Sequence, residues 1–171
     1  MVRVLNMKLG FAAALVAMMI LCAQVAAAQQ WVEVKSTAHK FAALFPQQPT
    51  ESARSDNVKQ SFFLLDLGTR TFLISVVDLP RAPTPDAAYW TTRVNDYAKG
   101  SNTKVKSSQP RKLAGHPGFE AVTFDESGNQ YHLIDMFIVG TKLYLLVSVG
   151  PKGHETGADA SRFRDSFRLL K

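Results

Sequence analysis

The chain has 171 residues, with 20 Lys or Arg against 14 Asp or Glu and a formal net charge of +6 at pH 7. That surplus is mild and spread along the chain, which favours anionic surroundings slightly and does not argue for nucleic acid. A single cysteine, Cys22, excludes a disulfide framework within the chain.

Residues 1–28 read as a secretory signal peptide. Arg3 and Lys8 make a basic start, Phe11 to Ala23 is an uninterrupted apolar run, and Ala26-Ala27-Ala28 fits the small-x-small rule for cleavage. The run is too short for a transmembrane anchor, which needs about 20 apolar residues. A lipoprotein signal also ends in cysteine, but bulky Leu21 stands before Cys22 where a small residue is wanted. Cys22 is therefore assigned to the discarded segment, and lipid anchoring through it is set aside. Residues 29–171 are then expected to be one domain, periplasmic or secreted. With no cysteine left, neither disulfides nor thiol chemistry are open to it.

In the mature part, Trp31-Val32-Glu33-Val34-Lys35 alternates as a short strand. Lys40 to Phe45 reads as a second, halted by Pro46. Gln47 to Asn57 is polar with little period and reads as a loop or an irregular edge. Val58–Asp66 and Arg70–Val77 form a hairpin about Leu67-Gly68-Thr69, apolar on both faces. Thr84-Pro85-Asp86 then reads as a helix start, with a hydroxyl cap, proline at the first helical position and an acid in the first turn. Ala87, Trp90, Val94 and Tyr97 follow at helical spacing, and Gly100 ends the run. This Trp/Tyr stripe has two readings, core packing or the lining of a ligand cleft, and core packing is preferred.

Ser101 to Leu113 carries Lys104, Lys106, Arg111 and Lys112 and no acid. It reads as a polar edge strand about Val105. Its cations either form an anion-binding patch or discourage edge-to-edge association, and the second reading is preferred because no aromatic residues interleave with them. Gly115-His116-Pro117-Gly118 is a turn before a strand at Phe119–Phe124, and Asp125 to Asn129 turns the chain again. Tyr131 to Gly150 is the densest apolar stretch of the mature part, two strands joined at Gly140-Thr141-Lys142. Both of its faces are apolar, so both should be covered. A second helix at Ala158–Phe167 turns Ala160, Phe163 and Phe167 inward and Arg162, Arg164 and Asp165 outward, and Leu169-Leu170 pins the end. Strands in sequential hairpins with helices inserted give an α+β fold, an antiparallel β-sheet flanked by helices on both faces.

Reaction motifs are missing from this order. There is no nucleophile elbow, no S-x-x-K, no phosphate-binding glycine loop and no paired histidines to begin a metal site. His132 and Asp135 offer the nearest approach to a joint site. Asp135 breaks the apolar pattern of its strand, and needs either a structural partner such as an arginine or a place at the floor of a pocket. No catalytic residue, cofactor or metal is assigned. The candidate binding residues are Trp90, Tyr97, His132, Asp135, Lys104, Lys106, Arg111 and Lys112.

Five segments together resemble the PsbP-like superfamily of secreted bacterial DcrB/PsbP-type domains. They are Trp31-x-x-Val34, Phe41 to Pro46, Gly115-His116-Pro117-Gly118-Phe119-Glu120, Lys142-Leu143-Tyr144 and Arg162 to Leu169. The resemblance spans nearly all of the mature chain and rests on turns and packing residues. It implies an α/β/α sandwich and a non-catalytic accessory or binding role, and it carries over no site residues. The expected function is an exported accessory domain recognising a protein or envelope component. The alternative is a carrier of an apolar small molecule in a cleft between helix and sheet.

Overall fold

The computed structural model describes residues 30–171, so the expected signal peptide lies outside the described residues. The strands are β1 (Val32–Ser36), β2 (Phe41–Phe45), β3 (Thr50–Ser55), β4 (Lys59–Asp66) and β5 (Thr71–Asp78), followed by helix α1 (Ala87–Gly100). Then come β6 (Thr103–Leu113), β7 (His116–Asp125), β8 (Gln130–Val139), β9 (Lys142–Pro151), α2 (Ala158–Ser166) and β10 (Arg168–Leu169), with a short 3-10 turn at His154–Thr156 ahead of α2. Seven strands form one antiparallel sheet in the order β3-β4-β5-β9-β8-β7-β6, and β1-β2-β10 form a second.

The two-faced apolar hairpin lies at the centre of the larger sheet, where its pattern demands. Phe137 stands opposite Tyr144, and Gly140 turns the chain with φ +60, a conformation that a side chain resists. On one face Ile134, Met136, Ile138, Leu143 and Val147 pack with Trp90 and Val94 of α1. On the other, Phe137, Tyr144 and Leu146 meet Phe41, Ala43 and Phe45 of β2 and Phe163 of α2. Both faces are covered, as an α+β sandwich requires. The second cover is shared between α2 and the small sheet. Phe163 joins the two, with its ring 5.0 Å from that of Phe45 and 5.3 Å from that of Phe72.

Five local readings change. The turn expected over Gly115-His116-Pro117-Gly118 is confined to Ala114-Gly115, and His116 to Gly118 already belong to β7, paired with β6. Thr50–Ser55, expected as a loop or irregular edge, is a regular strand although all six residues are exposed. Backbone pairing with β4 carries it, since the polar groups along that edge need partners whatever the side chains prefer. The first helix begins at Ala87 and is capped by Asp86, whose carboxylate accepts from Tyr89 N at 2.7 Å. Thr84 lies before a proline and is held out of helical geometry, and an anionic cap suits the helix start better than a hydroxyl. Arg168–Leu169 adds a third strand to the small sheet, too short to leave a periodic signal. Arg164 and Asp165, expected to point outward, reach instead to the large sheet.

The polar run after α1 is an edge strand as expected, and it ends the larger sheet. A register shift between Val105 and Ser107 and a proline at 110 mark it as an edge that resists further pairing.

Candidate functional site

Asp135 sits at 1% exposure on the face of β8 turned toward α2. It stands directly across from Glu120 on β7, and Arg111 on β6 brings Nη1 to 3.2 Å from its Oδ1. That approach is not in hydrogen-bonding line, so Oδ1 has no hydrogen bond among the described residues. Glu120 Oε2 is held by Arg111 Nη1 at 3.1 Å and Arg164 Nη1 at 2.9 Å, and Asp165 Oδ1 by Arg111 Nη2 at 3.3 Å. Without Asp135 the cluster holds two arginines and two carboxylates and is balanced. No surplus cation remains to stabilise a third anion. Burial therefore dominates and pushes the Asp135 carboxyl up to about 7, against the pull of Arg111 and Arg164. This is a structural knot tying α2 to three strands. Gly118 makes room for it, because the Phe137 ring lies over its bare Cα and the Arg111 guanidinium is centred 6.0 Å from that ring.

His132 and Asp135 do not form one site. They lie on opposite faces of β8, and the sheet separates them. Beneath α1, the Tyr97 hydroxyl and His132 Nδ1 share a hydrogen bond of 2.8 Å, and His132 Nε2 has no partner among the described residues. Burial pushes the Tyr97 hydroxyl up and the His132 imidazole down, so both are neutral near pH 7. Thr123, directly opposite His132 on β7, is fully buried and its hydroxyl is also unpaired among the described residues. Neutral, enclosed groups of this kind support packing more readily than proton transfer with a substrate.

Trp90 and Tyr97 do not line a common cleft. Trp90 is 5% exposed and stacks on Phe119 with ring centroids 6.2 Å apart, which fills the space below it. The depression beside it is ≈ 240 Å³, with Arg111 and Lys112 on its rim. Tyr97 opens on a different groove of ≈ 370 Å³ on the other side of α1, with Arg54 and Arg93. Of the basic run, Lys104 pairs with Glu126 at 3.5 Å and Lys106 with Glu155 at 3.1 Å. Lys106 also lies over the Tyr131 ring, 4.8 Å from its centroid. The predicted cations thus scatter, Lys104 and Lys106 into separate ion pairs, Arg111 into the Asp135 cluster and Lys112 beside the Trp90 depression. Among the described residues no cluster of three or more His, Cys, Asp and Glu could hold a metal ion.

A different set of residues converges. At the end of the large sheet that carries the β8–β9 turn, a groove of ≈ 510 Å³ opens between this turn and the small sheet. Lys40, His116, Lys142 and Lys171 line it, and among the described residues no acidic side chain does. Val139, Tyr144, Leu169 and Leu170 supply apolar wall. The groove exists because Leu170 N donates to Lys40 O at 2.9 Å, holding the final residues against the β1–β2 turn. Lys40 itself adopts φ 54, a conformation rare outside glycine. Lys142 is paired with Asp78, whereas Lys40 and Lys171 form no ion pair among the described residues. Sequence reasoning had no local signal for this set, since its members come from four separate turns and ends.

No protein-family model and no curated protein matches the chain. Solved structures do. Cyanobacterial PsbP (CyanoP) from Synechocystis sp. PCC 6803 superposes with a TM-score of 0.62 at 12% identity, over 85% of this chain and 96% of that one. A protein from Bacteroides thetaiotaomicron VPI-5482 gives 0.42 at 16% identity, over 84% of this chain and 49% of that one. PA94, a Pseudomonas aeruginosa protein of unknown function, gives 0.45 at 8%, over 80% and 92%. The last two scores carry no argument. At such low identity the first speaks for architecture, and it agrees with the motifs read from the sequence. The described domain, Trp31–Lys171, has the PsbP-like fold.

Proposed function

We propose that this chain is an exported, non-catalytic accessory domain that recognises a protein or envelope component through its outer surface. The observation that carries the reading is the fate of the polar groups. The Asp135 carboxyl is buried beside the Arg111–Glu120–Arg164 cluster and the imidazole under α1 bonds to Tyr97, both enclosed by the fold, whereas cations gather at a surface groove, two of them unpaired among the described residues. The signal-like first 28 residues support export, and the PsbP-like fold supports an accessory role by analogy alone. For the carrier reading a drug-sized apolar site needs roughly 300 Å³ or more. The depression beside Trp90 is smaller, and the Tyr97 groove reaches ≈ 370 Å³ but carries Arg54, Arg93 and Asp96 in its lining, which suits an apolar ligand less well.

Cell fractionation with N-terminal sequencing tests the export reading. The expected result is a periplasmic or secreted chain beginning at Gln29. A cytoplasmic chain retaining Met1 refutes export. Crosslinking in the intact envelope tests recognition, and a chain that crosslinks to nothing there refutes it.

A further inference from the structure

We infer that the groove between the β8–β9 turn and the small sheet binds a single-chain anionic amphiphile, its carboxylate or phosphate head held by Lys40 and Lys171 and its alkyl chain laid along Val139, Leu169 and Leu170. The inference deepens the binding reading above and rests on it.

Charge selects the head. Three ammonium groups face the groove, and among the described residues only Lys142 has its charge answered by a neighbouring carboxylate. Lys40 and Lys171 are exposed and line the groove. An anion entering there gains attraction from both without having to displace a partner, and a neutral or cationic head gains nothing.

The wall selects the tail. Val139 ends β8, and Leu169 and Leu170 belong to the segment clipped to Lys40, so apolar side chains line the same groove as the lysines. Tyr144 also lines the groove, and its hydroxyl donates to His39 O at 2.7 Å, so it offers the ligand no free polar group. The volume, ≈ 510 Å³, falls within the range of small-molecule sites, roughly 300–1,000 Å³. Each methylene that leaves water there should tighten binding about fourfold.

The test is an amide NMR titration of the purified protein with decyl phosphate, decanoate, decanol and inorganic phosphate, all below micelle-forming concentration. The expected result is saturable binding of both anionic amphiphiles, with the largest shifts at Lys40, Gly140, Thr141 and Leu170. Decanol and inorganic phosphate should bind at least tenfold more weakly, and an octyl chain more weakly than a decyl one. The Lys40→Gln/Lys171→Gln double variant should lose at least tenfold in affinity for decyl phosphate. Its thermal unfolding should be unchanged, because both residues are exposed. Comparable binding of decanol overturns the assignment, as do shifts centred beside Trp90 or no saturation below millimolar ligand. Binding to phosphatidylglycerol vesicles without binding to monomeric decyl phosphate also overturns it, in favour of a membrane-surface role. Fractionation is independent of this titration, so export and ligand class can each fail alone.

Discussion

Replacing Asp135 by asparagine tests whether burial or the two neighbouring arginines govern the central ion cluster. The carboxyl is 1% exposed and its folded value rises from 3.8 to about 7. Unfolded, the group releases its proton near its ordinary value; folded, it keeps the proton through the mildly acidic range. Between about pH 4 and pH 7 the folded state therefore holds one more proton than the unfolded chain, and stability falls as pH rises. The stabilising contribution is fully present below the unfolded value and is lost by the time pH has passed the folded one. A rise of this size corresponds to about 4 kcal/mol. The Asp135→Asn variant keeps the shape of the side chain and has no such dependence. The assay is urea unfolding followed by tryptophan fluorescence at half-unit steps from pH 4 to 8, for both proteins. The wild type minus variant difference should fall by several kcal/mol across that window and level off above pH 7. Taking the difference removes the histidines, which titrate in both. A flat difference, or one that rises with pH, refutes the reasoning, because it means that Arg111 and Arg164 hold the carboxylate ionised.

Three further outcomes follow from other parts of the fold. Gly118→Ala places a methyl group 2.5 Å from Met136 O and closer still to the Phe137 ring, so chemical denaturation should show a loss of about 1–3 kcal/mol, with Gly100→Ala as a control that meets no neighbour and needs no left-handed backbone. Asp86→Ala removes the cap on Tyr89 N and should cost about 1 kcal/mol in the same assay, with Asp86→Asn retaining most of it. Burial lowers the imidazoles of His39, His132 and His154, so the stability each contributes is present above about 6.5 and is lost as pH falls through its folded value. His132→Gln should accordingly narrow the loss of stability between pH 7 and pH 5 relative to wild type, measured by thermal unfolding, and an unchanged loss would show that His132 is not titrating there.

Local pattern carried most of the architecture. The double-sided apolar alternation from Tyr131 to Gly150 required a central, covered hairpin, and the Trp90/Val94 spacing required a helix lying on it. Asp135 announced a partner, because an ionisable group in an apolar strand cannot be left alone, and Arg111 stands beside it. The polar strand β3 and the two-residue β10 were hidden because they are held by backbone pairing, which the side chains do not encode. The destinations of the cations were hidden for a related reason. Arg111, Lys112 and Lys106 are near neighbours in sequence, yet strand alternation and a register shift send them to an ion cluster, a cleft rim and an aromatic ring. Lys40, His116, Lys142 and Lys171 are far apart in sequence and meet only because antiparallel pairing brings their turns to one end of the sheet. Periodicity is a property of neighbours along the chain, and so it determines which faces are buried. A groove is a property of neighbours in space, and only the folded sheet decides which charges share it.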